Sequence, residues 1–152
     1  MDIGFPTQKK IAFVGQKVDS TLCTVVSVTS TSDASIPFGS LLTYDDSNNG
    51  LCKVPTAKVH LDKPLGIALR DSYGQNYSPK SPIAALRQGR VWILCKDDVL
   101  PGDSVHVVIG ADGARFTNKI AEGAIKIKCA IYLESAQSGL APVEINFLGG
   151  AQ

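Results

Sequence analysis

The chain has 152 residues and a formal charge of +1, with 15 basic against 14 acidic side chains. That length fits one domain with a real core, and the even charge balance argues against the clustered basic face of a nucleic-acid binder. Charged residues are 19% of the chain, below the roughly 25% of ordinary soluble domains; such a surface suits a protein that hides part of itself against partners, and equally a plain small domain.

Residues 1–18 carry Gly4, Pro6, Gly15 and the pair Lys9 and Lys10, and read as an extended arm. A frayed terminus and a first strand of the domain are the alternatives. Residues 19–152 read as a single β-domain. Residues 22–30 are rich in Val, Thr and Ser, which favours a strand. Residues 32–35 break it. Leu41, Leu42 and Tyr44 start another, which ends in the turn-forming run 45–50, where Asp, Asn and Gly bond their own backbone or tolerate a left-handed one. Residues 51–54 pair back as a hairpin. A short strand follows at 65–69, then a polar loop, 71–81, carrying Tyr73 and Tyr77. Residues 83–86 lead through Gln88 and Gly89 into 90–95, the clearest strand of the chain. There Trp92 shares a face with Arg90 and Leu94, opposite Val91, Ile93 and Cys95. Trp92 either fills the interior or anchors an interface.

Pro101, Gly102 and Asp103 mark a turn. Val105, Val107 and Ile109 then alternate, and residues 115–117 pair back across a turn at 110–113. Residues 124–133 alternate cleanly, with Ile125, Ile127, Cys129 and Ile131 on one face and Lys126, Lys128 and Tyr132 on the other. Val143, Ile145 and Phe147 form the last strand. No segment repeats apolar residues at helical spacing. About eight to ten strands without helices predict an all-β fold, a single antiparallel β-barrel or jelly-roll-like sandwich.

Chemistry is sparse. No GxSxG elbow and no phosphate-binding GxxxxGK[ST] loop is present. The two histidines, His60 and His106, offer few acid/base arrangements. Asp45 with Asp46, and Asp97 with Asp98, fall in turns, where Asp bonds local backbone. The four cysteines have no CxxC spacing, and Cys95 and Cys129 read as small buried hydrophobes. No enzyme activity, cofactor or metal is expected. No run approaches the roughly 20 apolar residues of a membrane helix, and no signal-peptide core follows Lys9 and Lys10, so the expected setting is cytosol-like, with no membrane and no nucleic acid as partner.

Pro64-Leu65-Gly66-Ile67-Ala68-Leu69-Arg70, then Arg87-Gln88-Gly89-Arg90-Val91-Trp92-Ile93, then Pro101-Gly102-Asp103-Ser104-Val105-His106-Val107 and Ala114-Arg115-Phe116 stand in one order. With Val14-Gly15-Gln16-Lys17-Val18-Asp19-Ser20 and Ile36-Pro37-Phe38-Gly39, this order resembles phage structural cement proteins, which decorate assembled heads. The resemblance implies a role without catalysis: binding the capsid exterior at junctions between major capsid proteins, self-association as dimers or trimers, and a place in the virion after assembly in the host cytoplasm. Independently, Phe5, Lys9, Lys10 and Phe13 on the arm, with Tyr73 and Tyr77 on the polar loop, are the candidate partner contacts, because they put aromatic and basic groups on segments expected to be exposed. The rival reading is a carbohydrate- or receptor-binding β-module of a phage tail or fibre, with Tyr73 and Tyr77 stacking on sugars.

Overall fold

The computed structural model describes residues 13–19, 23–31, 33–44, 51–55, 64–71, 74, 76–95, 97–110, 113–119, 124–137 and 139–147. Every regular element among them is a strand: β1 (Thr24–Ser30), β2 (Ile36–Pro37), β3 (Leu41–Tyr44), β4 (Leu51–Lys53), β5 (Pro64–Ala68), β6 (Asn76–Tyr77), β7 (Pro82–Cys95), β8 (Ser104–Gly110), β9 (Gly113–Thr117), β10 (Ala124–Tyr132) and β11 (Gly139–Asn146). The all-β expectation holds, and the form is a barrel rather than a sandwich.

The long strand β7 organises the molecule. Its N-terminal half pairs with β1 and β5, and its C-terminal half with β11. One ring therefore runs β7–β5–β3–β4–β1 and returns to β7, and a second runs β7–β11–β10–β8–β9 and returns to β7. Each ring contains one short parallel pairing, Thr29 with Leu51 between β1 and β4, and Cys95 with Phe116 between β7 and β9. The other ring pairings are antiparallel. Gly89 sits between the two halves of β7 at φ +138°, and a side-chain carbon there would lie 2.9 Å from Cys23 Cβ. Only glycine fits such a backbone at such a contact.

Each ring is filled by side chains, as five-stranded closure leaves no lumen. Val28, Leu42, Cys52, Leu65 and Ile83 fill the first, and β2 and β6 lie across it, with Phe38 and Tyr77 edge to face at 5.2 Å. Val91, Ile93, Val107, Ile127, Tyr132 and Val143 are among those filling the second. Leu41, Ile67, Leu69 and Leu86, from the first ring, join this second core. Neighbouring Leu41 and Leu42 thus serve different cores, because successive strand residues point to opposite faces. The shared packing makes one body of the two rings.

Bulges set which residues face in. In β10 the pairing with β8 slips between Lys126 and Ile131, and Cys129 adopts φ +61°. The slip reverses the alternation beyond it. Ile127 is buried before it; Ala130 and Tyr132 are buried after it, while Ile131 is 42% exposed. This corrects the even alternation expected for residues 124–133. Cys129 is exposed rather than buried, whereas Cys95 is buried as expected.

Candidate partner surface

Residues 15–18 lie antiparallel along the edge of β7 that β1 and β9 leave open. Gly15 N–H donates to Trp92 O (2.8 Å), Trp92 N–H to Gln16 O (2.9 Å) and Val18 N–H to Arg90 O (3.0 Å). Arg90 also pairs with Asp19 at 3.2 Å. Gly15 and Gly39 lock this segment in place. A side-chain carbon on Gly15 would meet Gly39 N and Phe38 Cβ at 2.9 Å, and one on Gly39 would meet Val14 Cγ2 at 2.5 Å. Both glycines have positive φ, +81° and +82°, so both the conformation and the close approach exclude larger residues.

Two clefts flank the segment. One, of about 570 Å³, is lined by Phe13, Lys17, Asp19, Leu69, Arg70 and Asp71 among others. In it the Arg70 guanidinium sits 4.2 Å from the Phe13 ring centroid, a cation–π contact of about 0.5–1 kcal/mol at an exposed site. The other, of about 520 Å³, lies where the first ring meets the mouth of the second, and is walled by Val14, Pro37, Phe38, Leu94, Ala114 and Phe116. Its lining is mainly apolar.

Of the sequence-predicted contacts, Phe13 is exposed, at 45%. Tyr77 is placed differently from expectation. It belongs to β6, is buried, and its hydroxyl donates to Leu69 O at 2.6 Å. Burial raises the Tyr77 phenol pKa above its ordinary value. The polar composition of residues 71–81 hid the short strand that carries it inward. Phe5, Lys9, Lys10 and Tyr73, with His60 and the turn at 45–50, lie outside the described residues. Trp92 is half-buried on the outer face of β7, so the core reading of it is corrected; Val91 and Ile93 fill the interior instead.

Sequence reasoning missed several exposed apolar side chains, namely Leu94, Leu100, Ile131, Val25 and Tyr44. Leu94 had a usable signal, since it alternates with Ile93 and Cys95. Ile131 had none, because the bulge at Cys129 decides its direction.

Several polar groups of the second ring engage one another. The Tyr132 hydroxyl donates to Thr117 O at 3.0 Å and lies 3.4 Å from Cys95 Sγ. Thr117 Oγ1 donates to Asp97, and Lys119 pairs with the same carboxylate at 3.3 Å. Burial foremost, and then the Cys95 contact, push the Tyr132 phenol pKa strongly upward. Asp103 accepts from the Asn118 amide and from Leu100 N–H, and both hold its pKa below the usual carboxylate value. Buried His106 places Nδ1 at 3.2 Å from Ser104 O. Among the described residues no three His, Cys, Asp or Glu side chains gather as a metal site.

Comparison with known proteins gives a consistent picture. The family model for the structural cement protein (E217 gp24/Pam3 gp6) matches residues 5–146. A chain from the structure of the capsid of Myoviridae phage XM1 superposes with a TM-score of 0.71 at 15% identity, covering 96% of this chain and 97% of that one. The head fiber gp8.5 N base of bacteriophage phi29 superposes at 0.51 and 16% identity, covering 81% and 95%. At these identities the two structures speak for the fold alone. A search of curated protein sequences gave no significant match.

Proposed function

Because the chain belongs to the phage structural cement protein family, we propose that it binds the outer surface of an assembled phage head at junctions between major capsid proteins and stabilises the shell. Family membership itself gives the coarser statement, a structural, capsid-associated role. The observation that supports the finer one is the family match over residues 5–146, which spans both rings.

The physical logic is linkage. A protein that binds the closed lattice but not free subunits stabilises the lattice by mass action, by about 2.7 kcal/mol per site at a hundredfold excess over Kd. Bridging several subunits adds avidity without new kinds of contact. Contacts of this kind need rigid, exposed apolar and basic groups. Phe13, capped by Arg70 beside the closely packed Gly15, is one such group. Phe5, Lys9, Lys10 and Tyr73 are proposed to join it. The carbohydrate-module alternative relied on Tyr73 and Tyr77, and the buried ring of Tyr77 is not open to a sugar.

The test is co-sedimentation. Purified protein should pellet with emptied, undecorated shells and leave free capsid subunits in the supernatant, and it should raise the temperature at which shells disassemble. Equal binding to free subunits, or none to shells, would overturn the proposal.

A further inference from the structure

Arg70 is tied down at its backbone and at its tip, and its charge is left over. Its backbone N–H donates to Gly15 O at 2.8 Å, and its guanidinium carbon lies 4.2 Å from the Phe13 ring centroid. Phe13 is itself closed into a turn: Gln16 N–H donates to Phe13 O at 3.0 Å, and Phe13 N–H donates to Gln16 Oε1 at 3.1 Å. Residues 15–18 are bonded in turn to Arg90 and Trp92 of β7. The ring and the guanidinium are therefore mounted on the barrel through short backbone links. A guanidinium carries a planar fork of N–H donors, and among the described residues those of Arg70 meet no acceptor.

The cleft around this pair has a charge pattern of its own. Lys17 lines it as a second cation, with Nζ 3.9 Å from Cys23 Sγ. Two carboxylates line it as well. Asp19 is taken by Arg90 at 3.2 Å, and Asp71 has a contact of its own. Among the described residues no carboxylate pairs with Arg70 or Lys17. The site thus combines two cations not matched by an ion pair, an aromatic face 45% exposed at Phe13, and Leu69 behind it.

These features select the occupant. Arginine stacked on a ring keeps its fork for a planar acceptor with two oxygens, which a carboxylate supplies. A polyanion is disfavoured, because Asp19 and Asp71 flank the cations and the chain carries no clustered basic face. A single carboxylate at the end of a carbon stem fits better, since the stem can lie on Phe13 and Leu69 while the charge meets Arg70. We propose that this cleft receives an Asp or Glu side chain of a capsid subunit, held by a bidentate pair to Arg70, with Phe13 fixing the guanidinium and Lys17 adding attraction. The inference rests on the proposed cement function and names the residue that would read the lattice and the chemistry it would read.

Two measurements test it on the full chain and emptied shells. In co-sedimentation, Arg70→Gln should weaken shell binding by about tenfold or more, as loss of a charge-assisted pair does, with the β-sheet circular dichroism unchanged because the side chain is exposed. Arg70→Lys keeps the charge but not the fork, and should restore only part of the binding. Binding at full strength by Arg70→Gln would overturn the proposal, and full strength in Arg70→Lys would overturn the bidentate pair. The second measurement loads the Arg70→Lys chain on shells at saturating concentration and adds a carbodiimide, which joins an amine to a neighbouring carboxylate as an amide. Mass spectrometry should find position 70 linked to an Asp or Glu of a capsid subunit. A link only to another copy of this chain, or no link from position 70, would overturn the assignment. The outcomes separate the two readings: shell binding that ignores Arg70 sinks this one alone, and an unaltered chain that binds no shells sinks the cement reading with it.

Discussion

The two rings solve the same problem, closing the end of a small barrel, with different chemistry. The first is lidded by apolar and aromatic groups: β2 and β6 lie across it, and Phe38 meets Tyr77 edge to face. Its lid spends one polar atom, the Tyr77 hydroxyl, on Leu69 O. The second is closed by a connected polar set, in which Tyr132, Cys95, Thr117, Asp97 and Lys119 satisfy one another. An apolar lid loses stability in proportion to the volume removed, since cavities do not collapse fully. A polar set loses little when trimmed at its exposed rim and much when a buried partner is left unpaired. The surfaces differ as well. Exposed Leu94, Leu100 and Ile131 all belong to the second ring or its turns, whereas the first presents Val25 and Tyr44.

The sharpest way to break this comparison is truncation inside each core. Tyr132→Ala should cost about 3–5 kcal/mol and Leu42→Ala about 2–5 kcal/mol, read from chemical denaturation. Because Leu41, Ile67 and Leu86 bind the rings together, both variants should still unfold in one transition by tryptophan fluorescence and circular dichroism alike. Two separated transitions would show the rings to be independent. Next in size is Gly89→Ala, which places a side chain at φ +138° and 2.9 Å from Cys23 Cβ. A loss of about 1–3 kcal/mol is expected, visible as a lowered Tm; an unchanged Tm would deny that the bend in β7 needs glycine.

Smaller effects come from single hydroxyls. Tyr132→Phe and Tyr77→Phe should each lose about 0.5–1.5 kcal/mol at neutral pH. Their pH dependence has a definite sign. Burial raises both phenol pKa values above the ordinary 10.0, so the unfolded chain gives up these protons first. The stability tied to the neutral phenols is complete below pH about 10 and is lost as pH climbs above it. Wild-type protein should therefore unfold in alkali above pH about 10, and Tyr132→Phe should move that midpoint upward more than Tyr77→Phe does. Equal or downward movement would contradict the stronger burial of Tyr132. The smallest change belongs to the rim: Lys119→Ala removes a pair whose lysine is largely exposed, and less than about 1 kcal/mol should follow, shrinking further in salt.

Much of this protein was legible in its residues alone. Period-two runs such as Val105, Val107 and Ile109, with no helical spacing anywhere, gave an all-β fold, because side-chain direction in a strand follows sequence parity. The ordered motifs from Val14 to Phe116 pointed to the cement family. The exposure of Phe13 was legible from its place near the start of the chain. What the residues did not carry was everything that depends on where parity is broken. The bulge at Cys129 turns Tyr132 into the second core and Ile131 out to solvent, and nothing local in the run 124–133 announces it. Tyr77 was drawn inward by a two-residue strand in a polar loop, and the division of β7 between two rings arose from long-range pairing with β1, β5, β9 and β11. The groove beside Leu94 exists only because the rings meet there. Local alternation determines which residues can form strands; only the global register, set by bulges and by contacts far apart in the chain, decides which side of each strand is inside.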